Sequence, residues 1–278
     1  MIDLDDNYIL TEQLVKGYRY GNHLELGTNI GNRNPVKKHS KIEYIDDEGN
    51  IREFANVSEN RSESLASLKK TMDRLRRLIK NNFYGHQNEL WITLTYAENV
   101  TDSKRVYRDY KAFMKKLRRH YGHVEYISVL EPQKRGAWHI HALFKSEEHE
   151  KFYIPSSHLS KLWGHGFVKV KKMNESDNVA AYVTAYLTDL KVNDKSESDG
   201  IKKGARLHLY PSGMNFYRMS RGIKKPETFT ATKEYVFKFF NISNSVYAPD
   251  RFYTYDVELP DGMTLTYKRE FYDLKGWL

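Results

Sequence analysis

The sequence predicts an α+β fold in which a β-α-β-β-α-β unit forms an antiparallel, ferredoxin/RRM-like sheet between N- and C-terminal extensions. Three observations predict it. Strand-like runs occupy residues 90–96, 123–131, 136–144 and 166–173. Segments with apolar residues at helical spacing lie after the first and third of them. A turn-rich stretch, 132–136, joins the middle two at hairpin length.

Taken in order, residues 1–58 read as polar and irregular, with a strand-like piece at 41–45. Leu65, Leu68, Met72, Leu75 and Ile79 then repeat at helical spacing, with Lys69, Lys70, Arg74, Arg76, Arg77 and Lys80 on the other faces. The stripe suits core packing and the charges suit solvent. In 90–96, Leu90, Ile92 and Leu94 alternate with Thr93 and Thr95, as a half-buried strand should. Thr101 and Asp102 offer an N-cap to a helix lined by Val106, Tyr110, Phe113 and Leu117. Pro155 and two serines open a short helix carrying Leu159, Leu162 and Trp163, closed by Gly164. Ser176 caps a further helix to about residue 190, and the charged stretch 191–204 reads as a linker. The expected division is 1–85, an extension with a basic amphipathic helix; 86–192, the β-α-β-β-α-β unit; and 193–278, a basic and aromatic region. Both crossover helices should lie on one sheet face, leaving the other open.

Composition narrows the chemistry. There is no Cys, which excludes disulfides, thiolate nucleophiles and Cys-based zinc sites. The acidic opening, residues 1–6, predicts no signal peptide, and no apolar run reaches the ~20 residues a membrane span needs. A cytoplasmic protein without a membrane partner is expected. No Gly-Lys-Ser or Gly-Lys-Thr occurs, so no phosphate loop and no nucleotide cofactor are expected. The formal charge is +9, and residues 200–226 hold seven Lys or Arg and no acid, with Tyr210, Phe216 and Tyr217 among them. Cations neutralise phosphates and aromatics stack on bases, so this mixture suits single-stranded nucleic acid; a solvated basic loop over core aromatics is the other reading.

The most informative pair is His139 and His141. On a strand, residues i and i+2 face the same side, so two imidazoles stand together while Trp138, Ile140, Ala142 and Phe144 give the opposite side an apolar face. Such a pair is either hydrogen-bonded at a sheet surface or the start of a metal site. Glu131 ends the strand that the hairpin sets alongside, within reach of both rings. Two nitrogens and a carboxylate leave positions open for substrate and water. Tyr182 and Tyr186, four apart, share one flank of the last helix beside its buried stripe of Val179, Ala180, Val183, Leu187 and Leu190. They are packing residues or, beside a metal, covalent nucleophiles.

The segments 92–96 (Ile-Thr-Leu-Thr-Tyr), 135–141 (Arg-Gly-Ala-Trp-His-Ile-His) and 181–187 (Ala-Tyr-Val-Thr-Ala-Tyr-Leu) occur in one order and spacing. In this the stretch 90–190 resembles the HUH endonucleases, and most closely the rolling-circle replication initiators (Rep proteins) of bacterial plasmids and phages; residues 217–226 carry a looser likeness. The resemblance implies that His139, His141 and Glu131 hold Mg²⁺ or Mn²⁺. It implies that Tyr182 or Tyr186 cleaves one DNA strand, leaving a 5′-phosphotyrosine and a free 3′-hydroxyl. Single-stranded or hairpin origin DNA would be held by Lys134, Arg135, Lys169, Lys171, Lys172, Arg218 and Arg221, and a host helicase and polymerase would be partners. A mobilisation relaxase, a single-strand transposase and a catalytically impaired DNA-binding relative share these features; an iron oxygenase would share only the ligands. The family often has a lysine three residues after its nucleophile; Ala185 and Asp189 hold those offsets here.

Overall fold

The structure is a computed structural model that describes residues 8–28, 37–40, 42–46, 48–53, 65–133, 135–173, 206, 208–211, 214–242, 248–258 and 264–274. In chain order the first elements are β1 (Leu14–Tyr20), β2 (His23–Thr28), β3 (Lys37–Lys38), β4 (Glu43–Ile45), β5 (Ile51–Glu53) and α1 (Leu65–Lys80). Then come β6 (Glu89–Leu94), α2 (Ser103–Tyr121), β7 (Val124–Pro132), β8 (Trp138–Ser146), α3 (Ser156–Trp163), β9 (Val168–Lys172) and β10 (Tyr217–Met219). The last are β11 (Glu227–Thr232), α4 (Lys233–Phe239), β12 (Arg251–Glu258) and β13 (Thr264–Asp273). No helix among the described residues is long and apolar enough to cross a membrane.

The chain divides into two units, Ser58–Lys224 and a second made of Met1–Val57 with Lys225–Leu278. These are not the boundaries expected at 85 and 192. The first and last stretches of the chain pair in one sheet, of order β11-β1-β2-β13-β12, so they form a unit rather than two extensions. Its core is Ile9, Val15, Leu24, Leu26, Val236, Phe237, Tyr272 and Leu274. The supposedly irregular start therefore holds β1 and β2, whose pairing partners lie some two hundred residues away, beyond the reach of local pattern. Lys233 is buried there; its Nζ donates to Ile9 O at 2.8 Å and lies 2.9 Å from the Glu270 carboxylate. Tyr272 OH and Ile9 N–H donate to the same carboxylate at 2.8 and 2.7 Å.

In Ser58–Lys224, the elements β6-α2-β7-β8-α3-β9 follow the order expected, and the sheet runs β10-β7-β8-β6-β9 with antiparallel pairing throughout. This is an α+β unit compatible with an RRM-like sheet; β10 is an added edge strand. Asp102 caps α2 as expected, accepting from Lys104 N at 2.8 Å and Arg105 N at 3.3 Å. Val106, Tyr110, Phe113 and Leu117 are buried. Phe113 stacks on Phe144 of β8 and meets Trp163 of α3 edge-on, so α2 and α3 share the face that carries Trp138, Ile140, Ala142 and Phe144.

The opposite face is not wholly open. Met72, Leu75, Leu78 and Ile79 of α1 are buried in the same cluster as Trp91, Ile127, Val129 and Leu143 of that face. The loop after α1 is tied down there: the Glu89 carboxylate accepts the N–H groups of Tyr84, Gly85 and His86 at 2.9, 2.7 and 3.3 Å. Lys145 Nζ donates to Asn82 O at 3.3 Å. α1 and its loop thus cover the end of the face near Glu89 and Lys145, because an amphipathic helix needs an apolar surface and this is the one available. The end near His139 is the end left for chemistry.

One glycine sets that end. A Cβ on Gly166 would lie 2.6 Å from both Ala97 N and Thr95 O and 2.9 Å from Tyr96 C, all of them backbone. Only a glycine lets the loop before β9 pair this closely with the end of β6, where Ala97 N–H donates to His165 O and Thr95 N–H to Phe167 O, each at 2.9 Å. Gly166→Ala is expected to cost about 1–3 kcal/mol, the scale of overpacking a site that cannot relax, read as a lower urea midpoint at unchanged slope.

Candidate metal and DNA site

The hairpin brings the ligand candidates to one place. In the β7–β8 register Glu131 pairs with His139 and Val129 with His141, while Thr93 of β6 pairs with His141 from the other side. Directly opposed residues share a face, so Glu131, His139, His141 and Thr93 stand together. The turn that allows this includes Gly136 at φ +90°, where a side chain would be strained.

His141 is held at both nitrogens. Its Nε2 lies 2.9 Å from Glu131 Oε2, and its Nδ1 lies 3.2 Å from Thr93 Oγ1. With Nε2–H donating to the carboxylate, Nδ1 is left to accept the threonine hydroxyl, a tautomer assigned from the network. The ring of His139 stands 6.3 Å from that of His141, at 71°. His139 Nε2 is buried with no hydrogen-bond partner among the described residues. Burial, and then the neighbouring His141, push its pKa down to about 4, so the ring is neutral at physiological pH. Arg206 Nη1 approaches Glu131 Oε1 at 3.5 Å and donates to Pro132 O, covering the carboxylate's other oxygen.

As they stand, no three His, Asp or Glu side chains among the described residues converge as a ligand cluster. The donor chemistry nevertheless fits a divalent cation: two imidazole groups, one with an orphaned buried nitrogen, and a carboxylate already bonded to the other. Ligation would require Glu131 and His141 to exchange their mutual hydrogen bond for the ion.

The expected DNA contacts separate into groups. Lys169 pairs with Thr93 and Lys171 with Trp91, so both lie on the imidazole face, exposed on the edge strand β9. Lys172 is exposed but has the opposite parity, pairing with Leu90. Arg218 also belongs to the other face: its guanidinium lies 3.5 Å from the centre of the Tyr107 ring on α2. Arg221 is exposed, in the turn after β10. Arg135 is tied into its own loop, donating to Gln133 Oε1 at 2.8 Å and Tyr96 O at 3.1 Å. Tyr210 and Phe216 are in the core, with Tyr210 OH donating to Leu130 O at 2.8 Å, so neither is free to stack on a base. Lys134, Tyr182, Tyr186 and the helix expected over 176–190 lie outside the described residues.

Two contributors escaped the sequence reading. Thr93 was legible as a strand residue, but its bond to His141 depends on the β6–β8 register. Arg206 comes 75 residues after Glu131, and no local signal joins them. Behind the site a buried cluster braces the end of β6: Tyr96 OH donates to Asp109 at 3.2 Å, and Arg105 Nε lies 3.5 Å from the same carboxylate. Burial, then the charge of Asp109, raises the Tyr96 phenol well above its usual range, so it is a donor and not a phenolate.

Lys and Arg outnumber Asp and Glu in residues 58–224, whereas acids outnumber bases in the other unit. The polyanion-attracting charge is therefore on the unit with the histidines. Residues 89–191 match the family model of the replication-associated proteins of the ORF2 type, almost the stretch that carries the three motifs. The match is consistent with a rolling-circle initiator and supports a role in DNA replication. No curated protein and no solved structure matches the chain.

Proposed function

We propose that the chain is a replication initiator that nicks and rejoins one DNA strand at an origin, by tyrosine transesterification at the imidazole face. The observation that carries this reading is the bond from His141 to Glu131 beside the partnerless Nε2 of His139, inside a segment matching a replication-associated family. His139, His141 and Glu131 would hold a divalent ion, Mg²⁺ or Mn²⁺, which when bound draws charge off a non-bridging phosphate oxygen. Thr93 fixes the His141 ring, so the ligand nitrogen needs little reorganisation. Lys169 and Lys171 neutralise backbone phosphates along the edge strand.

The phenolic oxygen of Tyr182 or Tyr186 attacks phosphorus, and the bond from phosphorus to the 3′ oxygen breaks. The phenolic proton is lost to solvent and the leaving 3′ oxygen takes one up. The products are a 5′-phosphotyrosine and a 3′-hydroxyl that primes a polymerase. The linkage conserves the phosphodiester, so attack by a 3′-hydroxyl reverses the step and rejoins the strand. A host helicase would open the duplex, as the sequence has no phosphate-loop motif.

Incubation with end-labelled single-stranded oligonucleotides tiled across the protein's own replicon, with Mn²⁺, is expected to give a protein–DNA adduct that survives denaturant. No adduct with any oligonucleotide and either metal would remove the proposal. Metal binding has a separate test. Mn²⁺ at about 100 times its dissociation constant is expected to stabilise residues 58–224 by about 2.7 kcal/mol, and His139→Ala is expected to abolish that gain while leaving the apo protein's stability near the parent's.

A further inference from the structure

We infer that Phe167 forms a base-stacking subsite beside the proposed nicking centre, for an unpaired base of single-stranded DNA next to the phosphate held at His139 and His141. Phe167 immediately precedes β9, and its carbonyl accepts the Thr95 N–H at 2.9 Å, so the β6–β9 ladder continues through it. It stands two residues before Lys169, which pairs with Thr93, which pairs with His141. The period of two therefore sets the ring on the imidazole face, on the edge strand. At ~4.8 Å per strand, two strand spacings put it roughly 10 Å from the His139 strand, about one nucleotide step to the side.

The ring is 70% exposed, while the backbone beneath it is held firmly. Thr95 N–H and Thr95 Oγ1 both donate to Phe167 O at 2.9 Å, Ala97 N–H donates to His165 O, and Trp163 Nε1 donates to Thr95 O at 2.7 Å. Gly166 permits the close pairing. A single exposed phenyl is ordinary by itself. A phenyl on a rigid edge, in line with two imidazoles and followed two residues on by the exposed Lys169, is a stacking surface whose ordering is already complete before the strand arrives. Lys169 would neutralise the phosphate attached to the stacked base. Stacking needs an open base face, which a duplex withholds, so the occupant is single-stranded.

The subsite rests on the nucleic-acid reading of this face but not on its chemistry, so the test measures binding without metal. The probe is a short single-stranded oligodeoxyadenylate carrying one 2-aminopurine, with the same sequence as a duplex for comparison. Phe167→Ala is expected to weaken single-strand binding roughly tenfold, to restore the 2-aminopurine fluorescence quenched in the parent complex, and to leave duplex binding unchanged. Phe167→Trp is expected to recover affinity and quenching. Lys169→Gln should reduce the slope of log affinity against log salt by about 0.7. Parent-like binding by Phe167→Ala, or a Trp variant as weak as Ala, overturns the subsite even if nicking is demonstrated. If nicking fails while the Phe167 effect stands, the subsite survives and the chemistry falls.

Discussion

Replacing Tyr182 and Tyr186 together by phenylalanine is expected to abolish covalent capture of DNA, a loss on the order of 10³-fold or more in cleavage rate. Binding of the same oligonucleotide should stay within about twofold. Phenylalanine keeps the ring and its packing and removes only the oxygen that forms the ester bond, so binding and chemistry separate. The single variants sort the pair: the one that alone eliminates the first cleavage identifies the initiating nucleophile. The measurement is a denaturing gel of labelled oligonucleotide with Mn²⁺ beside an equilibrium binding curve without it. An adduct formed by the double variant would falsify the tyrosine mechanism. Adduct loss together with loss of binding would instead return both residues to a packing role.

The largest expected effect on stability lies in the other unit. Glu270→Gln leaves the Lys233 ammonium buried without its carboxylate, and removing one member of a buried pair costs about 3–5 kcal/mol. The pH dependence gives a second signature. Burial lowers the Lys233 pKa from its ordinary value and Glu270 opposes that shift. Without Glu270 the folded-state pKa falls further below 10.5, while the unfolded value stays near it. Between those two values the unfolded chain binds more protons than the folded one, so stability rises with pH through that window. The variant is therefore expected to recover part of its loss between about pH 7 and pH 10, with a steeper rise than the parent. Urea midpoints at both pH values measure it, and a loss independent of pH would show that the glutamine forms a neutral substitute bond.

The strand pair bearing Glu131, His139 and His141 was legible because its signals are local. A short turn fixes which strand neighbours which, and a period of two fixes which side chains share a face. The N-cap at Asp102 and the stripe from Val106 to Leu117 were legible for the same reason. The buried fate of Tyr210 and Phe216 was not. An aromatic beside lysines has one composition whether it stacks on a base or on Trp138, and only the fold brings Trp138 within 5.3 Å of the Tyr210 ring. Likewise α1 was recognisable as an amphipathic helix, but nothing in its period says which surface it covers.

By itself, then, the sequence determined the order of elements from Glu89 to Lys172, the common face of the two imidazoles and the carboxylate, and the excess of positive charge. Each follows from residue spacing or from a sum over residues. Tertiary structure alone decided that the two ends of the chain share a sheet, that α1 roofs half of the imidazole face, that Arg206 reaches Glu131, and that Arg218 turns to the other side. Those outcomes depend on pairings between residues tens to hundreds of positions apart. Such pairings are chosen by the burial of whole faces against one another, a quantity that no local window of sequence contains.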